Sequence, residues 1–237
     1  MSIFWKDYEV ELVDSQDEPI VLEKIERAFR VCYKSEEKMR NESYMDRVNF
    51  VKNNIKNGHT SPLEHAGVTV KCTIDRGILA EITRHRVGSA YSVSSTRYIK
   101  YNDSVPCILP SLLRMDENAE DREIFVSGIE MACACYQNLL SRNVPPQVAR
   151  GLLPQSLAVE IIETHNMREW LYIFDLRYFG TTGNPHPDMR YFMHKIYSIF
   201  SKIYPSIFSR KPIQEMEDFV NTYKNYVYDL GMNECAF

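Results

Sequence analysis

The sequence has no apolar run near the roughly 18 residues that cross a bilayer as a helix. Its start, Met1-Ser2-Ile3-Phe4-Trp5-Lys6-Asp7, meets charge at once and lacks the basic opening and apolar stretch of a signal peptide. Cysteine is sparse. The six (Cys32, Cys72, Cys107, Cys133, Cys135 and Cys235) are scattered and form no C-x-x-C pair, so reduced thiols in a cytoplasmic protein are the expectation rather than a disulfide framework. There is no Gly-rich dinucleotide fingerprint, no G-x-x-x-x-G-K phosphate loop, no nucleophile elbow and no cysteine with a catalytic flanking sequence. An enzyme built on this chain therefore needs an organic cofactor for difficult chemistry.

What is present is globular composition, with 44% apolar and 25% charged residues in 237, too apolar for disorder. The balance of 28 basic against 32 acidic residues, net −4, argues against nucleic acid as the main partner. Two features depart from a bland acidic protein: tyrosine is frequent at 15, and the arginines gather in a few aromatic-flanked places. No repeat, low-complexity tract or Gly/Ser linker divides residues 1–237, which predicts one domain with a helical, polar-aromatic tail from about 205.

Residues 9–14 alternate as an edge strand, and Val68, Val70, Cys72 and Ile74 alternate with polar residues as a half-buried one. Helical spacing follows Asp17 through Cys32, Tyr44 to about Asn57 with a stop at Gly58, and Gly77 to about Arg84. A long helix is predicted from about Glu117 to Leu140, a short one after Pro145-Pro146, and two more over 168–178 and 188–204. Residues 93–101 are polar and β-prone, and 157–164 are β-branched. Interleaving of this kind predicts an α+β (mixed α/β) domain, its central mixed or antiparallel sheet flanked by long helices.

Four segments carry candidate chemistry. Gly58-His59-Thr60-Ser61-Pro62-Leu63-Glu64-His65 places two imidazoles, a carboxylate and two hydroxyls before the strong strand; it suits phosphate or ribose contacts and equally an ordinary capped polar loop. His59 and His65 lie six apart with one carboxylate, which matches no standard metal spacing, and no metal is expected. Arg84-His85-Arg86 opens a stretch through Tyr98 holding three arginines and five Ser/Thr hydroxyls. On a continuous helix the triplet fans across about 200° and cannot face one ligand; Gly88 supplies a break. Arginine forks with hydroxyls suit bidentate phosphate recognition, and a basic surface strand has the same composition. Pro145–Arg150 and Thr164–Arg168, continuing through Arg177 to His186, complete the set; surface ion pairs remain open for Arg150 and Arg177.

In this order the segments resemble the flavin-dependent thymidylate synthases, whose motif is Arg-His-Arg, seven residues, then Ser. Arg84-His85-Arg86 leads over Val87–Val93 to Ser94. Gly58–His65, Val144–Arg150 and Asn166–Arg168 are similar to the family's other blocks, over roughly residues 10 to 205. The resemblance implies reductive methylation of dUMP to dTMP, with methylenetetrahydrofolate as carbon donor, NADPH as reductant and FAD delivering the hydride. It implies a homotetramer with sites shared between subunits, and no attacking cysteine. The same scaffold acting on UMP or CMP, a nucleic-acid-binding module, and a metal hydrolase on His59, Glu64 and His65 are the competing readings.

By the same resemblance His59, Ser61, Glu64, Arg84, His85, Arg86, Val87, Asn166, Arg168, Leu176 and His186 meet the flavin. Arg97 and Arg150 hold the nucleotide phosphate, with Glu81, Ser94 and Ser95 beside the nucleotide. Arg177 contacts the pyrimidine as the main catalytic group, with Ser95 and His59 in support. The chain departs from the pattern in two ways. One residue looks inserted, so counting forward selects Ser94 while counting back from Arg97-Tyr98 selects Ser95, the preferred one. Val93 and Ser94 replace the usual acidic or amide residues, and Glu81 stands where an amide can serve.

Overall fold

The alternation at Val68–Ile74 marks the central strand of the protein. The computed structural model describes residues 2–223. Among these are six strands: β1 (Ser2–Lys6), β2 (Glu9–Asp14), β3 (Gly67–Asp75), β4 (Ser89–Val93), β5 (Ser104–Ile108) and β6 (Ala158–Asn166). β2, β3, β6 and β4 form an antiparallel sheet in that order, while β1 pairs in parallel with β5. The helices are α1 (Glu18–Val31), α2 (Tyr44–Lys56), α3 (Arg76–Ile82), α4 (Ala119–Ser141), α5 (Pro146–Ala149), α6 (Met167–Arg177), α7 (Pro187–Ile203) and α8 (Gln214–Tyr223). The expected α+β architecture is the one observed.

Register decides which side chains enter the core. Val68, Val70 and Cys72 lie opposite His165, Glu163 and Ile161, and all six are buried. Two of the six, His165 and Glu163, are strongly polar, which is tolerable only with partners. His165 Nε2 lies 2.9 Å from Glu163 Oε2, and its Nδ1 lies 2.8 Å from Ser89 Oγ on β4. β6 therefore continues past the predicted end at Thr164, since His165 and Asn166 pair with Val68 and Gly67.

The tyrosine excess has a structural cause. Tyr8, Tyr136, Tyr178, Tyr191, Tyr197 and Tyr204 are core residues, and most send the hydroxyl to a fixed partner. Tyr204 donates to the Gln16 carbonyl (2.8 Å), Tyr197 to that of Arg210 (2.8 Å), and Tyr191 to Asp7 (2.8 Å). Trp170 and Phe174 of α6 meet Tyr197 and Phe200 of α7 edge-on, with centroids about 5 Å apart. Burial of each large ring stabilises the fold by roughly 2–3 kcal/mol before entropy is counted. Below this cluster the buried Asp7 carboxylate joins Arg114 (2.9 Å) and Lys195 (2.6 Å), tying the β1–β2 corner to α7.

Three local expectations need correction. Strand β4 lies at 89–93 rather than 93–101, because the Ser95 carbonyl accepts the amides of Tyr98 and Ile99 and folds the polar stretch into a turn. Helix α3 stops at Ile82 instead of Arg84. The helical tail expected over 205–237 is a turn at 205–209, with Ile207 and Phe208 in the core, followed by α8; residues 224–237 lie outside the described ones. The β1–β5 pair went unpredicted, since its strands are about a hundred residues apart and carry no alternation.

Candidate functional site

Asp75 starts α3 by accepting the Ile78 amide at 2.9 Å, so the helix begins directly off β3. It ends at Ile82, with Thr83 alone between it and the Arg-His-Arg triplet. Tyr91 of β4 donates its hydroxyl to the carbonyls of Ile82 (2.9 Å) and His85 (2.6 Å), satisfying groups a longer helix would use. Freed from helical geometry, the triplet divides: His85 turns inward at 7% exposure, while Arg84, Arg86 and Val87 face solvent. The side chains of Arg84 and Arg86 make no hydrogen bond or ion pair with a described residue. Gly88 then reverses the chain at φ +66°.

His85 stands at the centre of a polar group. Arg177, the last residue of α6, donates Nε–H to His85 Nε2 (3.2 Å) and Nη1–H to Glu81 Oε2 of α3 (3.1 Å). His85 Nδ1 lies 3.3 Å from Glu169 Oε1. Burial, then the Arg177 guanidinium, pulls the His85 pKa down from 6.5 to about 4, so the ring is neutral at working pH. Between those values the unfolded chain binds a proton that the folded chain refuses. The stability from His85 is complete above about pH 6.5 and is lost as pH falls toward 4. Burial displaces Glu169 upward, which works in the opposite sense, and His194 downward, which adds to it. Urea unfolding should show wild type losing about 2 kcal/mol more than His85→Gln between pH 7 and 4.5. Equal losses would show that His85 is not the titrating group.

A second group adjoins this one. Arg168 of α6 pairs with Glu64, joining the 3₁₀ turn Ser61–His65 to the start of α6. Both partners are about half exposed, so the pair adds little stability and leaves the guanidinium able to change partner. Asn166 caps α6 by accepting the Glu169 amide (2.8 Å), while its own amide donates to the Gly88 carbonyl (3.2 Å). His59, Ser61 and His65 are exposed at this edge, and Leu176 is half-buried on α6.

At the far end of β4 the Ser94 hydroxyl accepts the Glu160 amide at 3.2 Å and is committed to the sheet edge. Ser95 Oγ accepts the Arg97 amide (3.4 Å), and Arg150 donates to the buried Thr96 hydroxyl (3.4 Å). Arg97 extends over the Tyr98 ring, 5.6 Å from its centroid. His186 begins α7, its Nδ1 accepting the Asp188 amide (3.2 Å), and shares with Glu81, Asp75 and Tyr8 a cavity of about 200 Å³. A wider depression of about 650 Å³, between α1 and α2, holds none of these groups and is lined by residues such as Glu23 and Arg47 that pair with each other. Among the described residues no three His, Cys, Asp or Glu side chains could hold a metal ion, and no helix is long and apolar enough to cross a membrane.

The model of the thymidylate synthase complementing protein family matches residues 11–206, a span that holds all four candidate segments. The chain belongs to that family. Among similar proteins, the flavin-dependent thymidylate synthase of Geobacter sulfurreducens is 34% identical over 155 residues, covering 63% of this chain and 66% of the relative. That of Mycobacterium avium is 32% identical over 169 residues, covering 65% and 66%. That of Haloarcula marismortui is 33% identical over 147 residues, covering 52% and 59%. The matched part thus spans 59–66% of the length of these family members. In fold, the chain resembles a UMP/dUMP methylase, PolB from Streptomyces cacaoi. The TM-score is 0.75 at 21% identity against the 5-Br dUMP complex, covering 87% of this chain and 96% of that one. Against the 5-Br UMP complex it is 0.71 at 17% identity, covering 88% and 96%.

The structure brings Glu81, His85 and Arg177 into contact, and Glu64 to Arg168. It leaves Arg97 and Arg150 at the other end of β4, whose Ser89 and Val93 are about 13 Å apart at strand rise. Sequence reasoning missed Glu169, Thr96 and the Ser89–His165–Glu163 chain. For Glu169 a signal existed and pointed elsewhere: Asn166-x-x-Glu169 has capping-box spacing, yet the carboxylate turns to His85.

Proposed function

We propose that the protein is an FAD-dependent thymidylate synthase that methylates dUMP reductively to dTMP, using methylenetetrahydrofolate as carbon donor and NADPH as reductant. The observation that carries this is Arg177, fixed between His85 and Glu81 beside the outward forks of Arg84 and Arg86. The residues fit a flavin dinucleotide. Two uncommitted guanidiniums suit its pyrophosphate, and Val87, 72% exposed, offers an apolar contact to a ring. Arg168, Asn166, Glu64, Ser61, His59, Leu176 and His186 would complete that surface. When bound, the flavin supplies the hydride.

The chain's own residues do the rest. Arg177 donates to the pyrimidine and stabilises charge gathering on it; Arg97, Arg150 and Ser95 hold the phosphate, with Glu81 beside the base. Cys72, in β3 beneath the site, is buried, and burial and Glu163 push its thiol up, which supports chemistry without a cysteine nucleophile. The two arginine groups at opposite ends of β4 support a homotetramer whose sites combine subunits. We place the enzyme in the cytoplasm.

Purified protein should be yellow, and incubation with NADPH and methylenetetrahydrofolate should convert dUMP. Turnover of UMP or CMP without dUMP would overturn the substrate assignment, and a colourless protein with salt-sensitive DNA binding would overturn the enzyme reading. Ser95→Ala should raise KM for dUMP about tenfold, the value of one charge-assisted bond. Ser94→Ala should instead lower stability by about 1 kcal/mol by unpairing the Glu160 amide, with KM little changed. The reverse ranking would relocate the inserted residue.

A further inference from the structure

Glu169 lies in neither the phosphate-binding nor the flavin-facing surface, yet its carboxylate is buried at 7% exposure. Its amide is consumed by the Asn166 cap, so the side chain is free of that duty. One oxygen stands 3.3 Å from His85 Nδ1. On the opposite side of the ring, Nε2 accepts the Arg177 Nε–H. A guanidinium has donors only, so the nitrogen facing it carries no proton. The proton of the neutral ring therefore sits on Nδ1, the nitrogen facing Glu169.

We propose that Glu169 is a positioning residue: it holds His85 in the Nδ1–H tautomer and thereby fixes the direction of Arg177. The inference rests on the reading that Arg177 acts on the pyrimidine. In the other tautomer Nε2–H would face Nε–H, two donors opposed, and Arg177 would keep only its Glu81 contact. With both contacts made, Nε and Nη1 are committed and Nη2 has no partner among the described residues. Nothing nearby replaces Glu169. The adjacent imidazole, His165, has both ring nitrogens engaged by Ser89 and Glu163. Arg84 and Arg168 flank the group but carry donors only.

The test compares Glu169→Ala with Glu169→Gln in the full-length protein and reads the His85 tautomer by ¹⁵N NMR of histidine-labelled enzyme, the signal assigned with His85→Gln. Wild-type His85 should show the Nδ1–H form. Glu169→Ala should shift it toward Nε2–H and lower kcat roughly ten- to a hundredfold at unchanged flavin content, the range found when a partner orienting a functional histidine is removed. Glu169→Gln keeps an acceptor oxygen and should restore kcat to within about threefold of wild type. An Nε2–H signal in the wild type overturns the proposal even if the alanine variant fails to fold. Wild-type kcat in Glu169→Ala, or equal damage in both variants, overturns it also. A wild type that methylates a different nucleotide overturns the substrate reading alone, because the tautomer and the ranking of the variants are then measured with that nucleotide.

Discussion

Replacing Arg177 with alanine should lower kcat/KM for dUMP methylation by roughly 200- to 1000-fold, with the flavin still bound. The size follows from its task. A preorganised donor aimed at charge that develops in a reaction stabilises that charge by roughly 3–4 kcal/mol where solvent is held away. Arg177 is preorganised in this sense, because His85 and Glu81 fix two of its nitrogens before any ligand arrives. Flavin should remain because Arg84, Arg86 and Arg168 are separate from it, the first two with outward forks and the third on Glu64. Arg177→Lys should fail almost as badly. One ammonium cannot meet His85 Nε2 and Glu81 Oε2 together while presenting a third donor to a ring. The absorbance spectrum and the turnover per bound flavin are the two measurements. Loss of flavin with unchanged turnover per flavin would assign Arg177 to cofactor binding instead.

The periodic parts of this fold were legible in the sequence because they obey local rules. β3 was visible from alternation, and α2 from its apolar spacing and the stop at Gly58, which adopts φ +81°. What escaped is non-local. β1 and β5 meet in parallel across a hundred residues, and no periodicity records such a pairing. Tyrosine misled for a related reason. Its count stood out as unusual, but a phenol ring with one satisfied hydroxyl is also a good core residue, and Tyr191 and Tyr197 of α7 serve that way, as do Tyr178 and Tyr204 just beyond α6 and α7. The arginines were read by type, and their separation into outward forks and one inward-held group was hidden until Tyr91 was seen to end α3. Glu169 shows the sharper limit. Its spacing from Asn166 supports a cap, and only the position of His85 reveals the second use.

Gly88→Ala should unfold more easily than wild type by roughly 2–3 kcal/mol and should lose most of its flavin. Its φ of +66° costs an L-residue about 1 kcal/mol or more. A methyl group there would lie 2.0 Å from Asn166 Nδ2 and 2.9 Å from its Cγ, far inside contact distance. The Asn166 side chain cannot rotate away freely, because its oxygen caps α6 through the Glu169 amide. Releasing that cap costs about 1 kcal/mol more. The damage would then spread through named contacts. Asn166 also bonds the Gly88 carbonyl, so the turn carrying Arg86 and Val87 shifts with it. Glu169 follows the cap, and with it the contact to His85. Gly128→Ala is the matching control: it lies in α4 with nothing within 4 Å of the new methyl, and should be neutral or slightly stabilising. Urea midpoints and flavin absorbance per protein measure both effects. A Gly88→Ala protein with wild-type flavin content would mean that the triplet can bind its ligand without the turn that now separates its arginines from His85.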